Sequence, residues 1–183
     1  MASVFFDKNI ISSYKILDAM PSNNIATRSL KDILPYIGSP SMDIEYYDVF
    51  IGVLNDEAKK LNMLDHIKEI LGKAPDCALG NIKKVICVIT YPVTNPAIIE
   101  FTINVNLNYG VLLYLYTVAY QIMYGTEECD DEDPGFIDGM FNRNSSYGRF
   151  GIWGHVINDL IYNSSSKLNV HQDYVIFEAD CDS

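Results

Sequence analysis

The residues most able to act on another molecule form a dense run of carboxylates in the C-terminal half of the chain. Six of the seven positions from 127 to 133 are acidic, and another carboxylate follows at 138. Like charges this close repel one another, so they must be solvated or neutralised by something positive. Both a solvated loop and a docking patch for a basic partner fit this run. The carboxylates are Glu127, Glu128, Asp130, Asp131, Glu132, Asp133 and Asp138.

The order of these carboxylates is not that of a metal-binding loop. An EF-hand loop needs ligands at alternate positions, a central glycine and a glutamate at position twelve, and this run lacks that order. The four cysteines, at positions 77, 87, 129 and 181, do not have the paired spacing of zinc ligands. We therefore expect neither a metal nor a cofactor, and we expect the cysteines to be reduced thiols.

A glycine-rich aromatic segment, residues 145–155, is the second candidate region. It contains three glycines and the only tryptophan of the chain. Tyr147, Arg149 and Trp153 are of the residue types that dominate interface energetics, so the segment is a candidate recognition surface. The alternative is structural: Phe150 and Trp153 anchor the loop to the core, while Arg149 offsets a nearby carboxylate.

One pair of residues suggests an enzyme. His155 and Asp159 are four positions apart, which on a helix would align an imidazole with a carboxylate. No nucleophile motif of the G-x-S-x-G type accompanies them. A small hydrolase-like enzyme is thus the alternative function, and no catalytic residue is assigned in the leading interpretation.

The charge of the chain restricts its partners. The formal net charge is −11, and residues 85–183 carry thirteen acidic against three basic side chains, or −10 of it. Such a field repels phosphate backbones and anionic lipid and attracts basic surfaces. The apolar run 111–124 is too short to span a membrane. The first residues lack the pattern of a secretory signal, which predicts a cytoplasmic protein.

Two β-strands joined by a short turn are the clearest local elements. Residues 82–91 are mostly apolar and β-rich, and residues 99–107 alternate apolar with polar side chains. The intervening turn at 92–96 contains Pro, Thr and Asn. This pattern predicts an antiparallel hairpin.

Helical patterns lie on both sides of this hairpin. Ser29 is a candidate cap for a short helix, and apolar residues at three- and four-residue spacing predict helices within 41–72. Residues 111–124 are apolar without alternation, which favours a buried helix over a strand. An acidic loop is expected from there to about Ser146.

The C-terminal elements complete an α+β fold with an antiparallel sheet and helices packed on one side. Residues 156–162 and 174–178 are expected to form a closing pair joined by the polar segment 163–166. We predict a single domain over residues 1–183, with its helical part at about 29–72 and its sheet-rich part at about 82–183.

In overall profile the chain resembles the immunity proteins of bacterial toxin–immunity systems, such as those of contact-dependent growth inhibition. The resemblance lies in small size, acidity, cytosolic character and abundant Ile, Asn and Tyr. It implies a non-enzymatic inhibitor that neutralises a cognate toxin, often a basic nuclease, by tight binding. A viral or mobile-element interaction module is a further alternative.

Overall fold

The computed structural model describes residues 6–21, 26–29, 82–107, 109–130, 133–140, 142–171 and 173–182. The helices predicted within 41–72, and the short helix predicted to follow Ser29, lie outside these ranges; Ser29 itself is the last residue of a described strand. The described elements, in chain order, are β1 (Ile11–Leu17), β2 (Ala26–Ser29), β3 (Lys84–Ile89), β4 (Ala97–Ile103), α1 (Tyr109–Asp130), a 3-10 turn (Ile157–Asp159), β5 (Ile161–Val170) and β6 (Tyr174–Asp182).

The predicted hairpin is confirmed in β3 and β4, which pair antiparallel with Cys87 opposite Ile99. The alternation along β4 turns Ile99 and Phe101 into the core, whereas Glu100 on the other face stays partly exposed. The strand ends at Ile103 and not at 107. Beyond it, the Asn104 backbone N–H donates to Ile10 O, and its side-chain amide donates to Lys8 O.

The apolar run after the hairpin is a helix, as predicted. From Val111 to Tyr124 the described side chains of α1 are buried apart from a partly exposed Gln121, so the helix needs no polar face. Two of its tyrosines satisfy their hydroxyls inside the core: Tyr116 donates to Val88 O at 3.4 Å and Tyr120 to Tyr91 O at 2.7 Å. The helix continues to Asp130, so the acidic run begins on a helix and not in the expected loop.

The sheet is mixed, which corrects the prediction of an antiparallel one. Its six strands lie in the order β1-β4-β3-β6-β5-β2, and the central pair, β3 and β6, is parallel. The expected joining segment 163–166 lies within β5, which pairs antiparallel with β6. The fold is nevertheless α+β, because the other four strand pairs are antiparallel and the described helix packs against one face of the sheet.

The two faces of the sheet bury different amounts of apolar surface. On one face, side chains from β1, β3, β4, β5 and β6 form the main core with α1, including the T-shaped pair Tyr116 and Phe177 with centroids 5.5 Å apart. The opposite face carries a small second cluster. Its buried members are Ile86, Val88, Ile98 and Ile176.

Candidate functional site

The acidic run does not form one uniform surface, because Glu127 lies inside the molecule. Its exposed fraction is 1%, whereas Glu128 and Asp130, in the same last turn of α1, are exposed. Tyr120, Tyr124 and Glu127 are spaced by four and three residues, which places Glu127 on a buried stripe of the helix. Glu127 therefore lies apart from the solvent-facing carboxylates with which the sequence groups it.

The Glu127 carboxylate is bound by the loop 146–152. Its Oε2 accepts a hydrogen bond from Phe150 N at 2.8 Å, and its Oε1 accepts one from Gly151 N at 2.9 Å. The buried Ser146 hydroxyl also donates to Oε1 and accepts from Ile152 N at 3.0 Å. Backbone N–H groups and a hydroxyl thus compensate the buried negative charge, and no cation is needed for this.

Gly148 allows the loop to lie against this carboxylate. A Cβ at position 148 would lie 2.8 Å from Cδ of Glu127 and 2.9 Å from its Oε2. Gly151 is required for a second reason, because its φ of +61° is in the left-handed region and its Cβ would be 3.1 Å from the Thr94 side chain. Gly148 and Gly151 therefore allow the loop to pack closely against Glu127 and Thr94.

Replacing Gly148 with alanine is expected to lower the free energy of unfolding by roughly 1–3 kcal/mol, because the new methyl group overlaps a fixed carboxylate. The measurement is urea unfolding of the whole chain. Gly139→Ala is a contrasting variant: that site is open but has a φ of +74°, so its loss of roughly 1–2 kcal/mol would come from backbone strain alone, whereas Gly148 has no positive φ and its loss would come from the clash. A Gly148→Ala protein as stable as wild type would contradict the close approach.

The turn between β3 and β4 holds the other side of the same loop. Thr94 N and Asn95 N donate to Phe150 O at 3.1 and 3.0 Å, and the Asn95 side chain donates to Arg149 O at 3.2 Å. Val93 forms a β-bridge with Ile152. The loop is thus fixed from two sides, by the end of α1 and by the hairpin turn.

The remaining described carboxylates of the acidic run are on the surface. Glu128, Asp130, Asp133 and Asp138 are exposed, and the Asp133 carboxylate accepts a hydrogen bond from Gly135 N at 3.0 Å. Within the described part of the chain, none of these four forms an ion pair with Lys or Arg. Asp131 and Glu132 lie outside the described residues. We call the four exposed carboxylates the acidic rim.

The loop after the acidic run exposes large apolar side chains that the sequence interpretation did not include. Phe136 is 57% exposed, Met140 61% and Ile137 39%. β-Bridges join position 136 to 143 and position 143 to 154, so this loop lies beside the glycine-rich segment. A signal for it was present in the sequence, since apolar residues interrupt a loop otherwise rich in Asp, Gly and Pro.

The three predicted contact residues of the glycine-rich segment have different surroundings. Tyr147 is 93% exposed. Trp153 is 37% exposed and packs edge-on against Tyr91, with ring centroids 5.2 Å apart. Arg149 forms a surface ion pair with Asp18 at 2.5 Å, which matches the structural interpretation that it offsets a carboxylate. Surface pairs of this kind contribute little stability.

A buried arginine, Arg143, lies beside the glycine-rich segment. Arg143 is 7% exposed, its guanidinium carbon lies 5.6 Å from the centroid of the Tyr124 ring, and its Nε makes no hydrogen bond. Burial raises the pKa of the Tyr124 hydroxyl above its ordinary value, and the charge of Arg143 partly opposes this rise. Tyr124 donates to His155 O at 2.9 Å, which ties the segment to α1.

His155 and Asp159 are not aligned on a helix. His155 lies before the 3-10 turn in non-helical backbone, and Asp159 is an exposed residue in that turn. The His155 ring instead lies near Tyr91, with centroids 5.8 Å apart. The helical alignment on which the hydrolase alternative rests is therefore absent. Among the described residues, no three His, Cys, Asp or Glu side chains cluster as metal ligands would.

Comparison with protein-family models, with curated proteins and with solved structures gives no match for this chain. Within the described ranges, no helix combines the length and the apolar character that crossing a membrane requires.

Proposed function

We propose that this protein is a non-enzymatic binding protein that docks a basic protein partner and inhibits it, as an immunity protein inhibits a nuclease toxin. The observation that carries the proposal is the acidic rim: exposed carboxylates without described basic partners, next to a loop bound on two sides. A field of one sign raises the rate of encounter with an oppositely charged surface.

The end of α1 gives a second, independent argument. Its last turn contains Glu127, Glu128 and Asp130 and has no basic residue. Negative charge near the C-terminus of a helix opposes the helix dipole, at a cost of about 0.3–1 kcal/mol for each exposed group. Local choices that work against stability are concentrated at functional sites. The placement of Glu128 and Asp130 supports a role for them in binding.

A nuclease is the partner class that fits this chemistry best. Its substrate-binding surface is basic because it must contact phosphates, and that surface is complementary to the acidic rim. Docking there would block the substrate by occupying its site. This inhibition requires no catalysis by the inhibitor.

The test is a salt series with the partner purified after capture from the native host. Glu128→Gln with Asp130→Asn, and separately Asp133→Asn with Asp138→Asn, are each expected to slow association roughly ten-fold at low salt and to flatten its salt dependence. Asp173→Asn with Glu178→Gln removes the same charge from β6 and its preceding turn and serves as the control.

The first rim variant is expected to be slightly more stable than wild type, since it removes charge that opposes the helix dipole. A loss of binding would therefore not be a loss of folding. Equal association rates for wild type, both rim variants and the control would refute docking through the rim.

A further inference from the structure

The acidic rim does not explain why Phe136, Ile137 and Met140 are exposed. We call these three apolar side chains the apolar anchor. All three lie between the rim carboxylates Asp133 and Asp138 or within two residues of them. Large apolar side chains grouped on a surface and bordered by polar residues mark interaction sites.

Hydrogen bonds among the described residues hold the loop that carries the anchor. Ile137 N donates to Asn142 O and Met140 N donates to Ile137 O, both at 2.9 Å. The Asn144 side-chain amide donates to Pro134 O and to Phe136 O, each at 3.1 Å, and Asn144 N donates to Gly135 O. Because the backbone is fixed in advance, less conformational entropy is lost when a partner binds.

Charge decides between the possible occupants of this surface. A second copy of the chain would bring two acidic rims together, and the net charge of −11 opposes that association. An anionic lipid surface is repelled for the same reason. A protein segment that carries apolar side chains beside lysines or arginines can contact the anchor through the apolar side chains and the rim through the positive charges.

We infer that Phe136, Ile137 and Met140 insert among apolar side chains of a cationic amphipathic segment of the partner, so that the anchor limits dissociation and the rim accelerates association. This inference rests on the proposed function and deepens it. Buried apolar contacts at the centre of an interface carry most of its affinity, whereas charges around it act mainly on encounter.

Trp153 supplies a built-in reporter. It is the only tryptophan of the chain, it is partly exposed, and the bridges 136–143 and 143–154 place its segment about 10 Å from that of Phe136, twice the spacing of paired strands. Its emission is expected to shift to shorter wavelength when an apolar segment covers this surface.

The probes are two synthetic peptides of equal positive charge. One is amphipathic, with Lys on one face and Leu on the other, and the second has Ser in place of each Leu. We expect the Lys/Leu peptide to bind the full chain at least about ten-fold more tightly and to shift the emission of Trp153. Phe136→Ser with Met140→Ser is expected to abolish this preference and to leave binding of the Lys/Ser peptide unchanged. Phe136→Leu with Met140→Leu should retain the preference.

Since Phe136 and Met140 are exposed, their replacement should change the free energy of unfolding by no more than about 0.5 kcal/mol, which urea unfolding checks. Equal binding of the two peptides to wild type, or a preference that survives in the serine variant, would overturn the inference. So would a dimer that the serine variant dissolves, or a Trp153 shift on neutral phosphatidylcholine vesicles. Each of these results leaves the rim to be judged by the salt series with the partner.

Discussion

Replacing Glu127 with alanine is expected to lower the free energy of unfolding by roughly 3–5 kcal/mol, more than any change to an exposed carboxylate of the acidic run. The substitution leaves the N–H groups of Phe150 and Gly151 without their acceptor, whereas the Ser146 hydroxyl can still donate to Ile152 O at 3.2 Å. Each orphaned donor costs about 1–3 kcal/mol, reduced where a water enters the space left behind. Urea unfolding followed by the fluorescence of Trp153 measures this change.

Two conservative variants separate charge from shape at this position. Glu127→Gln keeps the length of the side chain but turns an NH2 group towards backbone donors, so we expect a loss of roughly 1–3 kcal/mol. Glu127→Asp keeps the charge but shortens the reach by one methylene, and it is expected to break the bonds to Phe150 and Gly151. Glu128→Gln, one residue away and exposed, is the control. If Glu127→Ala and Glu128→Gln behaved alike, the buried carboxylate would not be holding the loop.

Alkaline pH is expected to unfold the protein cooperatively. Burial raises the pKa of Tyr114 to about 12 and raises those of Tyr120 and Tyr124 above the ordinary value of 10.0. In the unfolded chain these hydroxyls lose their protons near pH 10, whereas in the folded protein they keep them, so rising pH favours the unfolded state. The stability they confer is complete below pH 10 and falls above it by about 1.4 kcal/mol per pH unit for each group.

Three such groups together lower stability by about 4 kcal/mol per pH unit, and a typical domain has only about 5–15 kcal/mol to lose. Between about pH 10 and 12 this removes about 8 kcal/mol, which exceeds the stability of a domain near the lower end of that range. With such a stability the protein is expected to unfold before about pH 12, with tyrosinate absorbance and loss of circular dichroism changing at the same pH. Burial also raises the pKa of the Cys87 thiol above 9.0, so Cys87→Ala should flatten the decline between about pH 9 and 10. Gradual ionisation of all tyrosines with the secondary structure intact would contradict this prediction.

The hairpin and the long helix could be predicted from sequence because each is encoded by a local pattern. β4 alternates along one short segment, and α1 is apolar over four turns. The order of the strands could not be predicted in this way. The parallel pairing of β3 with β6 joins residues about ninety positions apart, for example Cys87 and Phe177, and no local pattern records such a contact.

β1 and β5 are among the strands that the sequence interpretation missed or misread, because their composition is polar. β1 contains two serines and a lysine and lies at an edge of the sheet, where only part of it is buried. The polar segment 163–166 resembles a loop by composition, yet it lies within β5, because residues on both sides of it pair with β6 and the register shifts between Tyr162 and Ser166. Tertiary context outweighs intrinsic β-propensity at such positions.

The candidate site was predicted in part, since charge is visible in a sequence and burial of a single carboxylate is not. Glu127 has five acidic neighbours within seven positions, and only its helical spacing from Tyr120 and Tyr124 distinguishes it from them. Its binding partners, the loop N–H groups, carry no side-chain signal at all. In the sequence, Gly148 and Gly151 indicate that contact, because each lets the loop adopt a position that a side chain would obstruct.

The central place of β6 has a consequence for synthesis of the chain on the ribosome. Residues 85–89 of β3 are buried and apolar, and one of their hydrogen-bonding edges is completed only by β6. At about 5–20 residues per second, the roughly ninety residues between them take about 5–18 s to translate. During that interval the nascent chain exposes an apolar strand edge that can pair with another molecule. Its need for protection by chaperones should therefore end when β6 emerges.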